Sequence, residues 1–130
     1  MGIIYKNGNS VSDGKVATNS LDIKTDELVS LVGGFVVKAS GTTGKIEGVS
    51  KTGKVFPATN QTVQKEKVVI INDYDLRLKL TTDAAITEAD VGSSFTINTN
   101  QTVDVASIGA SGQVRLEEVL TGTVGVFSIN

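Results

Sequence analysis

An alternating segment near the middle of the chain constrains the fold most. Leu76, Leu78 and Leu80 are separated by single charged residues, Arg77 and Lys79. Because successive side chains along a β-strand point to opposite faces, this period of two places the leucines on one face and the charges on the other. The pattern predicts a strand with one buried face, and the rest of the chain must supply strands that cover it.

The segment before this strand predicts a second one. Residues 68–71 are a continuous β-branched run, which is too short for a helix and typical of a strand with apolar neighbours on both faces. Residues 72–75 read Asn-Asp-Tyr-Asp, and such side chains hydrogen bond to nearby backbone in four-residue loops. We therefore predict a central hairpin over residues 68–80.

The composition indicates an all-β domain. Valine, threonine, glycine, serine, isoleucine and asparagine are abundant, with one proline and no tryptophan. A chain of 130 residues is long enough for one domain with a well-buried core. Eight to ten short segments with strand character, separated by glycine-rich turns, predict a small barrel or sandwich of short antiparallel strands.

Three local patterns give specific predictions. Residues 28–32 fit a helix or a strand, and the Gly33-Gly34 pair followed by another apolar run favours a strand in a tight hairpin. Thr87, Asp90 and Gly92 have the spacing of a single capped helical turn. Further along, consecutive acids at 117–118 interrupt an alternating strand, which predicts a β-bulge that leaves both acids in solvent and returns Val119 to the core.

The first 24 residues are predicted to form an extended N-terminal arm on a β-barrel domain of residues 25–130. The arm is rich in glycine, asparagine and serine after a short apolar cluster, Ile3, Ile4 and Tyr5. It is either a flexible leader or a segment that becomes ordered against a partner. The start resembles neither a signal peptide nor a membrane span, so we expect a cytosol-like compartment and no membrane partner.

The residue types restrict the available chemistry. The chain contains no cysteine and no histidine. It therefore has no thiol nucleophile, and it lacks the thiolate sulfur and the imidazole nitrogen that commonly bind metals. A net charge of −2, from 12 basic and 14 acidic residues, offers no basic surface for nucleic acid. We predict no catalytic residues, no cofactor and no metal, and therefore not an enzyme.

Short motifs that resemble functional sites lack parts of the full patterns. Asp73-Tyr74-Asp75 contains paired oxygen ligands, but Leu-Arg-Leu follows where a calcium loop continues with glycine and acids. Residues 41–45, Gly-Thr-Thr-Gly-Lys, lack the spacing and the following helix of a phosphate loop, and a turn is favoured. The pentapeptide Thr-Asn-Gln-Thr-Val occurs at 59–63 and 99–103, as an old duplication or, as we favour, by coincidence.

The order of segments after residue 24 carries a family resemblance. Residues 27–39, Glu-Leu-Val-Ser-Leu-Val-Gly-Gly-Phe-Val-Val-Lys-Ala, precede Gly-Lys-Ile-Glu-Gly-Val at 44–49. Later come Ala-Asp-Val-Gly-Ser-Ser-Phe-Thr-Ile at 89–97, Gln-Val-Arg-Leu-Glu-Glu-Val at 113–119 and a Val-Gly-Val-Phe ending. Together these resemble the small β-barrel capsid decoration or cement proteins of tailed bacteriophages.

The resemblance implies a virion structural protein that lies on the capsid surface, binds the major capsid protein and stabilises the shell after assembly in the host cytoplasm. Possible contacts with copies of itself follow from the same role. Apolar and aromatic anchors tend to carry interfaces, so Ile3, Ile4, Tyr5 and Tyr74 are the predicted contact residues. The alternatives are a phage tail or head–tail connector component, or a β-barrel module that binds carbohydrate or oligonucleotide.

Overall fold

The protein is nearly all β, as predicted. The computed structural model describes residues 14–71, 76–109 and 111–130, and the backbone of residues 2–5. The described strands are β1 (Gly2–Tyr5), β2 (Lys15–Val16), β3 (Asp22–Ile23), β4 (Leu28–Val32), β5 (Phe35–Lys38), β6 (Ile46–Ser50), β7 (Lys54–Val55), β8 (Lys67–Val68), β9 (Ile70–Ile71), β10 (Arg77–Thr81), β11 (Ser94–Ile97), β12 (Val103–Gly109), β13 (Val114–Thr121) and β14 (Val124–Ile129). Helical structure in these residues is limited to α1 (Gln61–Gln64) and a 3₁₀ turn (Glu88–Asp90).

Two sheets dominate the architecture. The larger has six strands in the order β1-β10-β14-β13-β11-β12, and the smaller has four in the order β5-β4-β6-β9. Two short pairs, β2–β8 and β3–β7, complete the body. An isolated parallel bridge from Thr82 to Val103 brings the six-stranded sheet back towards the end of β10, but no ladder of the described residues closes it. Of the two predicted architectures, the structure is a sandwich of short antiparallel strands.

The main hydrophobic core lies between the two sheets. Its members come from β4, β6 and β9 on one side and from β10 to β14 on the other, and Phe95 and Phe127 meet edge to face with their ring centroids 6.3 Å apart. Leu76, Leu78 and Leu80 are each no more than 1% exposed, whereas Lys79 on the opposite face of β10 is exposed. The prediction of a strand with one buried face is confirmed.

A second core covers the other face of the four-stranded sheet. It contains Val29, Val36 and Ile70 from that sheet, together with buried side chains from the short strand pairs and their connections, namely Ala17, Leu21, Ile23, Phe56 and Val68. The four-stranded sheet is therefore buried on both faces, which is why residues 68–71 form a continuous apolar run: Ile70 lies in this second core and Ile71 in the main one.

The predicted central hairpin is wrong, although both of its strands exist. β9 pairs with β6 in the smaller sheet, whereas β10 pairs with β1 and β14 in the larger one. The two strands thus belong to different sheets and do not pair with each other. The reason is that the leucine face of β10 needs an opposing apolar layer, and a hairpin partner would lie beside β10 instead of across from it.

The structure also changes the extent of the N-terminal arm. Residues 14–24 lie in the folded body: β2 pairs with β8, β3 pairs with β7, and Ala17, Leu21 and Ile23 are buried. The boundary that we placed after residue 24 therefore does not separate an arm from the fold. The apolar residues of this segment are few, but they are the ones needed to cover the outer face of the four-stranded sheet.

The three local predictions are confirmed in their main features. Gly33 and Gly34, with φ of 58° and 85°, form the turn of the β4–β5 hairpin, where both residues need a positive φ. The Thr87 backbone N–H donates to Asp90 Oδ2 at 2.8 Å. The register of β13 on β14 shifts between Leu116 and Glu118, as expected for a bulge.

The side chains at the bulge differ in their exposure. Glu118 is exposed and Val119 packs against the core, as predicted. Glu117 is only half exposed, because its Oε1 accepts a hydrogen bond of 2.7 Å from the Ser128 hydroxyl on β14.

Leu78→Ala tests the dependence of the fold on the leucine face. Leu78 is fully buried, so its truncation should lower the free energy of unfolding by about 2–5 kcal/mol through lost burial and the cavity that remains. Lys79→Ala is the matched control on the exposed face of the same strand and should change it by less than about 0.5 kcal/mol. Urea unfolding measures both, and equal effects would contradict the assignment of the buried face.

Candidate interaction surface

The edge of the six-stranded sheet formed by β1 and β10 is the candidate interaction surface. β1 pairs antiparallel with β10, with Gly2 opposite Lys79, Ile3 opposite Leu78 and Tyr5 opposite Arg77. The register shifts between Ile3 and Tyr5. In the sheet order β1 is the outermost strand, so it forms one of the two edges of this sheet, where a further strand can add.

The predicted contact residues fall into two groups. Ile3, Ile4 and Tyr5 all belong to β1 and therefore lie together along this edge. Tyr74 lies outside the described residues. The apolar start of the chain is thus a strand of the six-stranded sheet, a role that its isolated position in a polar segment did not reveal.

Three glutamines have a structural function that the sequence analysis missed. Gln101 Oε1 accepts from the Leu28 N–H at 2.9 Å, and its Nε2 donates to the Leu28 carbonyl at 2.7 Å. The amide therefore pairs with β4 as another strand would. Gln61, which is 1% exposed, donates from Nε2 to the carbonyls of Ala17 and Glu66 at 2.9 and 2.8 Å.

Gln113 connects the two sheets. Its Nε2 donates to the carbonyls of Ser40 and Gly44 at 2.8 and 2.5 Å, and its Oε1 accepts from the Ile97 N–H at 3.0 Å. The side chain is buried and links the loop between β5 and β6 to β11. One residue thus joins the two sheets through three hydrogen bonds.

The repeated pentapeptide does not occupy equivalent places. In the first copy Gln61 begins α1, and Val63 is 78% exposed. In the second copy Gln101 precedes β12, and Val103 is fully buried at the start of that strand. The copies share a glutamine that binds backbone, but their surroundings differ, as expected for the coincidence that we favoured.

Gln113→Ala tests the link between the sheets. Its loss would leave buried backbone groups without partners, so we expect the free energy of unfolding to fall by roughly 3 kcal/mol. Gln64→Ala, at an exposed position in α1, is the matched control and should change it by less than about 0.5 kcal/mol. If the two variants unfold at the same urea concentration, the Gln113 hydrogen bonds do not stabilise the fold.

Residues considered for phosphate binding and acid catalysis make hydrogen bonds within the fold. Within residues 41–45 the Thr43 hydroxyl donates to the Ser40 carbonyl at 2.9 Å and lies within hydrogen-bonding distance, 3.1 Å, of Ser30 Oγ, so the segment is a turn, as predicted. Glu117 Oε1 accepts a hydrogen bond from the Ser128 hydroxyl and lies 3.8 Å from Arg115 Nε, whereas Glu118 is exposed to solvent. These two acids do not converge on a common point. Asp73 and Asp75 lie outside the described residues.

Asp83 is a described acid whose pKa clearly departs from its ordinary value. The Val105 N–H donates to its Oδ1 at 3.0 Å and Asn98 Nδ2 donates to its Oδ2 at 3.1 Å. These bonds, that from the Val105 backbone first and that from Asn98 second, lower the pKa of Asp83 below its ordinary value. The carboxylate holds the outer edge of β12, which explains the shift without a catalytic role.

Asp83 should make stability depend on acidity. Because its pKa is lower in the folded state than in the unfolded chain, its contribution is present at neutral pH and is lost as the pH falls below about 3.9 and through the folded pKa. The difference in unfolding free energy between the wild type and Asp83→Asn should therefore shrink in this range. Urea unfolding from about pH 6 to about pH 2.5 measures it, with the exposed Asp22→Asn as control. A difference that stays constant with pH would contradict this role.

The described residues form several concavities on the surface. One of about 340 Å³ lies between the β3–β4 connection and the turn that contains Gln101, with Lys24, Asp26 and Glu27 in its wall. Among the described residues, no three acidic side chains come together as a metal site would require. Large apolar side chains that remain exposed in this part of the chain occur on separate elements and include Val32, Val55, Val63, Val91, Ile108 and Leu120.

Comparisons with known proteins add no family assignment. Neither a protein-family model nor a curated protein matches the sequence. In the described part of the chain, no helix has the length and apolar character needed to cross a membrane.

Proposed function

We propose that this protein is a capsid decoration protein of a tailed bacteriophage, which binds the major capsid protein on the outside of the shell and stabilises it. In this role it is a structural component of the virion and not an enzyme. The proposal starts from the resemblance of residues 25–130 to that family, and the geometry of the β1–β10 edge supports it.

The observation that carries the proposal is the position of the terminal strand. β1 contains the apolar cluster of Ile3, Ile4 and Tyr5 and lies at the outer edge of the six-stranded sheet. Proteins bind extended segments at such edges through backbone hydrogen bonds, and side chains at alternate positions add selectivity. A capsid subunit could bind β1 directly or add a strand beside it.

The body of the protein suits a scaffold that presents such an edge. Two cores cover both faces of the four-stranded sheet, and the polar side chains Gln61, Gln101 and Gln113 are engaged with backbone. Many copies that each bind only the assembled shell stabilise it by mass action, so a modest interface per copy is sufficient.

Removal of residues 1–13 tests the role of the terminal strand. The truncation begins the chain at Gly14, where the described body starts, and should weaken attachment to undecorated shells of the cognate phage by about tenfold or more, or roughly 1.4 kcal/mol or more. Co-sedimentation over a range of protein concentrations measures attachment. Far-ultraviolet circular dichroism and urea unfolding establish that the truncated chain is folded.

The controls separate decoration from the alternative functions. Lys51→Ala, an exposed position just after β6, should leave attachment unchanged. The intact protein should not co-sediment with immobilised glycans or single-stranded oligonucleotides. Binding to either of these while shells are ignored would overturn the proposal, and full attachment of a folded truncated chain would exclude β1 as the contact.

A further inference from the structure

We propose that β1 is an exchangeable strand, and that the β10 edge of one copy accepts β1 from a second copy of this chain. The proposal concerns contacts between copies and does not depend on the capsid function. It rests on the position of β1 at the outside of the six-stranded sheet, where it pairs with an edge of β10 that fits its sequence.

The intramolecular pairing shows that the edge fits this occupant. Gly2, Ile3 and Tyr5 find register partners in Lys79, Leu78 and Arg77, all within β10. A β1 strand from another copy would make the same antiparallel pairs, because it has the same sequence. Exchange therefore replaces each contact with an identical one, as in other cases where protomers swap an element.

The position of β1 makes exchange geometrically simple. It is the outermost strand in the order of the six-stranded sheet, so its departure breaks the pairing with β10 and removes no strand from the middle of the sheet. The other neighbour of β10 is β14, which continues to pair with residues 78–81. The described members of both cores come from residues 17 to 127, and these residues stay in the body when β1 leaves.

The connecting chain is long enough to reach a neighbour. Eight residues, 6–13, separate β1 from the first described residue of the body. At about 3.4 Å per residue they span up to roughly 27 Å, compared with a radius of gyration of about 14 Å for a domain of this size. A copy in contact with the body therefore lies within reach of β1.

Concentration should decide between the two arrangements. A strand on a short connection competes with effective concentrations in the millimolar range, so pairing within the chain dominates in dilute solution. Pairing between copies becomes comparable when the local protein concentration is also about 1 mM. Exchange is thus expected where copies are crowded together and not in dilute samples.

Cysteine substitutions can distinguish the two arrangements because the chain has no native cysteine. Gly2 and Lys79 are direct partners in the β1–β10 register, and opposite positions of antiparallel strands come close enough for a disulfide. Isotope-labelled G2C is mixed with unlabelled K79C at about 1 mM in a glutathione redox buffer, which removes disulfides between thiols that are not held together. Mass spectrometry of the dimer identifies the linked peptides.

The expected result is a covalent dimer that joins position 2 of a labelled chain to position 79 of an unlabelled one. This dimer should be at least about tenfold less abundant when the mixture is prepared at micromolar concentration. The double variant G2C/K79C should form the same disulfide within one chain in dilute solution. G2C mixed with K51C is the matched control, because Lys51 is exposed but follows β6 in the other sheet, and it should remain monomeric.

Two results would overturn the proposal. In the first, the double variant closes its disulfide within one chain but the mixture of single variants stays monomeric at about 1 mM, so that β1 pairs only with its own body. In the second, neither sample forms the disulfide between positions 2 and 79, so that β1 does not occupy this edge. Neither result depends on attachment to shells, and the capsid function would be tested separately.

Discussion

The burial of both faces of the four-stranded sheet is the constraint on which the rest of the structure depends. One face meets the leucine face of β10 across the main core, and the other is covered by the short strands around Leu21, Ile23 and Phe56. Because a sheet that is apolar on both faces needs a layer on each side, the chain must cross from one sheet to the other after β9 instead of turning back in a hairpin. The same need draws residues 14–24 into the body.

Side-chain amides complete what the backbone ladders leave open. The strands are short, so many backbone groups near strand ends lie in connections without a ladder partner. Gln113 satisfies two carbonyls and one N–H across the two sheets, and Gln101 does the same for both polar groups of Leu28. Buried backbone groups without partners are costly, so these contacts allow short strands to form a close-packed body.

Function in such a body is expected to lie at its edges. Two of the described acids have structural roles: Asp83 accepts from the Val105 N–H at the edge of β12, and Glu117 accepts from Ser128 on the adjacent strand. The β1–β10 edge is different, because its outermost strand carries the apolar cluster of Ile3, Ile4 and Tyr5. The proposed adhesion to a shell and the proposed strand exchange between copies would both use this edge.

The sequence by itself determined the local features that depend on neighbours along the chain. Alternation identified the buried face of β10, paired glycines identified the β4–β5 turn, and consecutive acids identified the bulge in β13, since each arises from strand periodicity or from a backbone angle. The β-branched run at 68–71 indicated burial on both faces but did not indicate which layers would cover it.

Tertiary structure decided which strands pair, where the N-terminal segment belongs and what the glutamines bind. β9 and β10 are close in sequence but lie in different sheets. Ile3 and Leu78 are distant in sequence but pair with each other in one sheet. These outcomes depend on the total apolar area that the complete set of strands can bury, and no local pattern contains that quantity. The candidate surface was therefore predictable as an apolar cluster, whereas its place at a sheet edge was not.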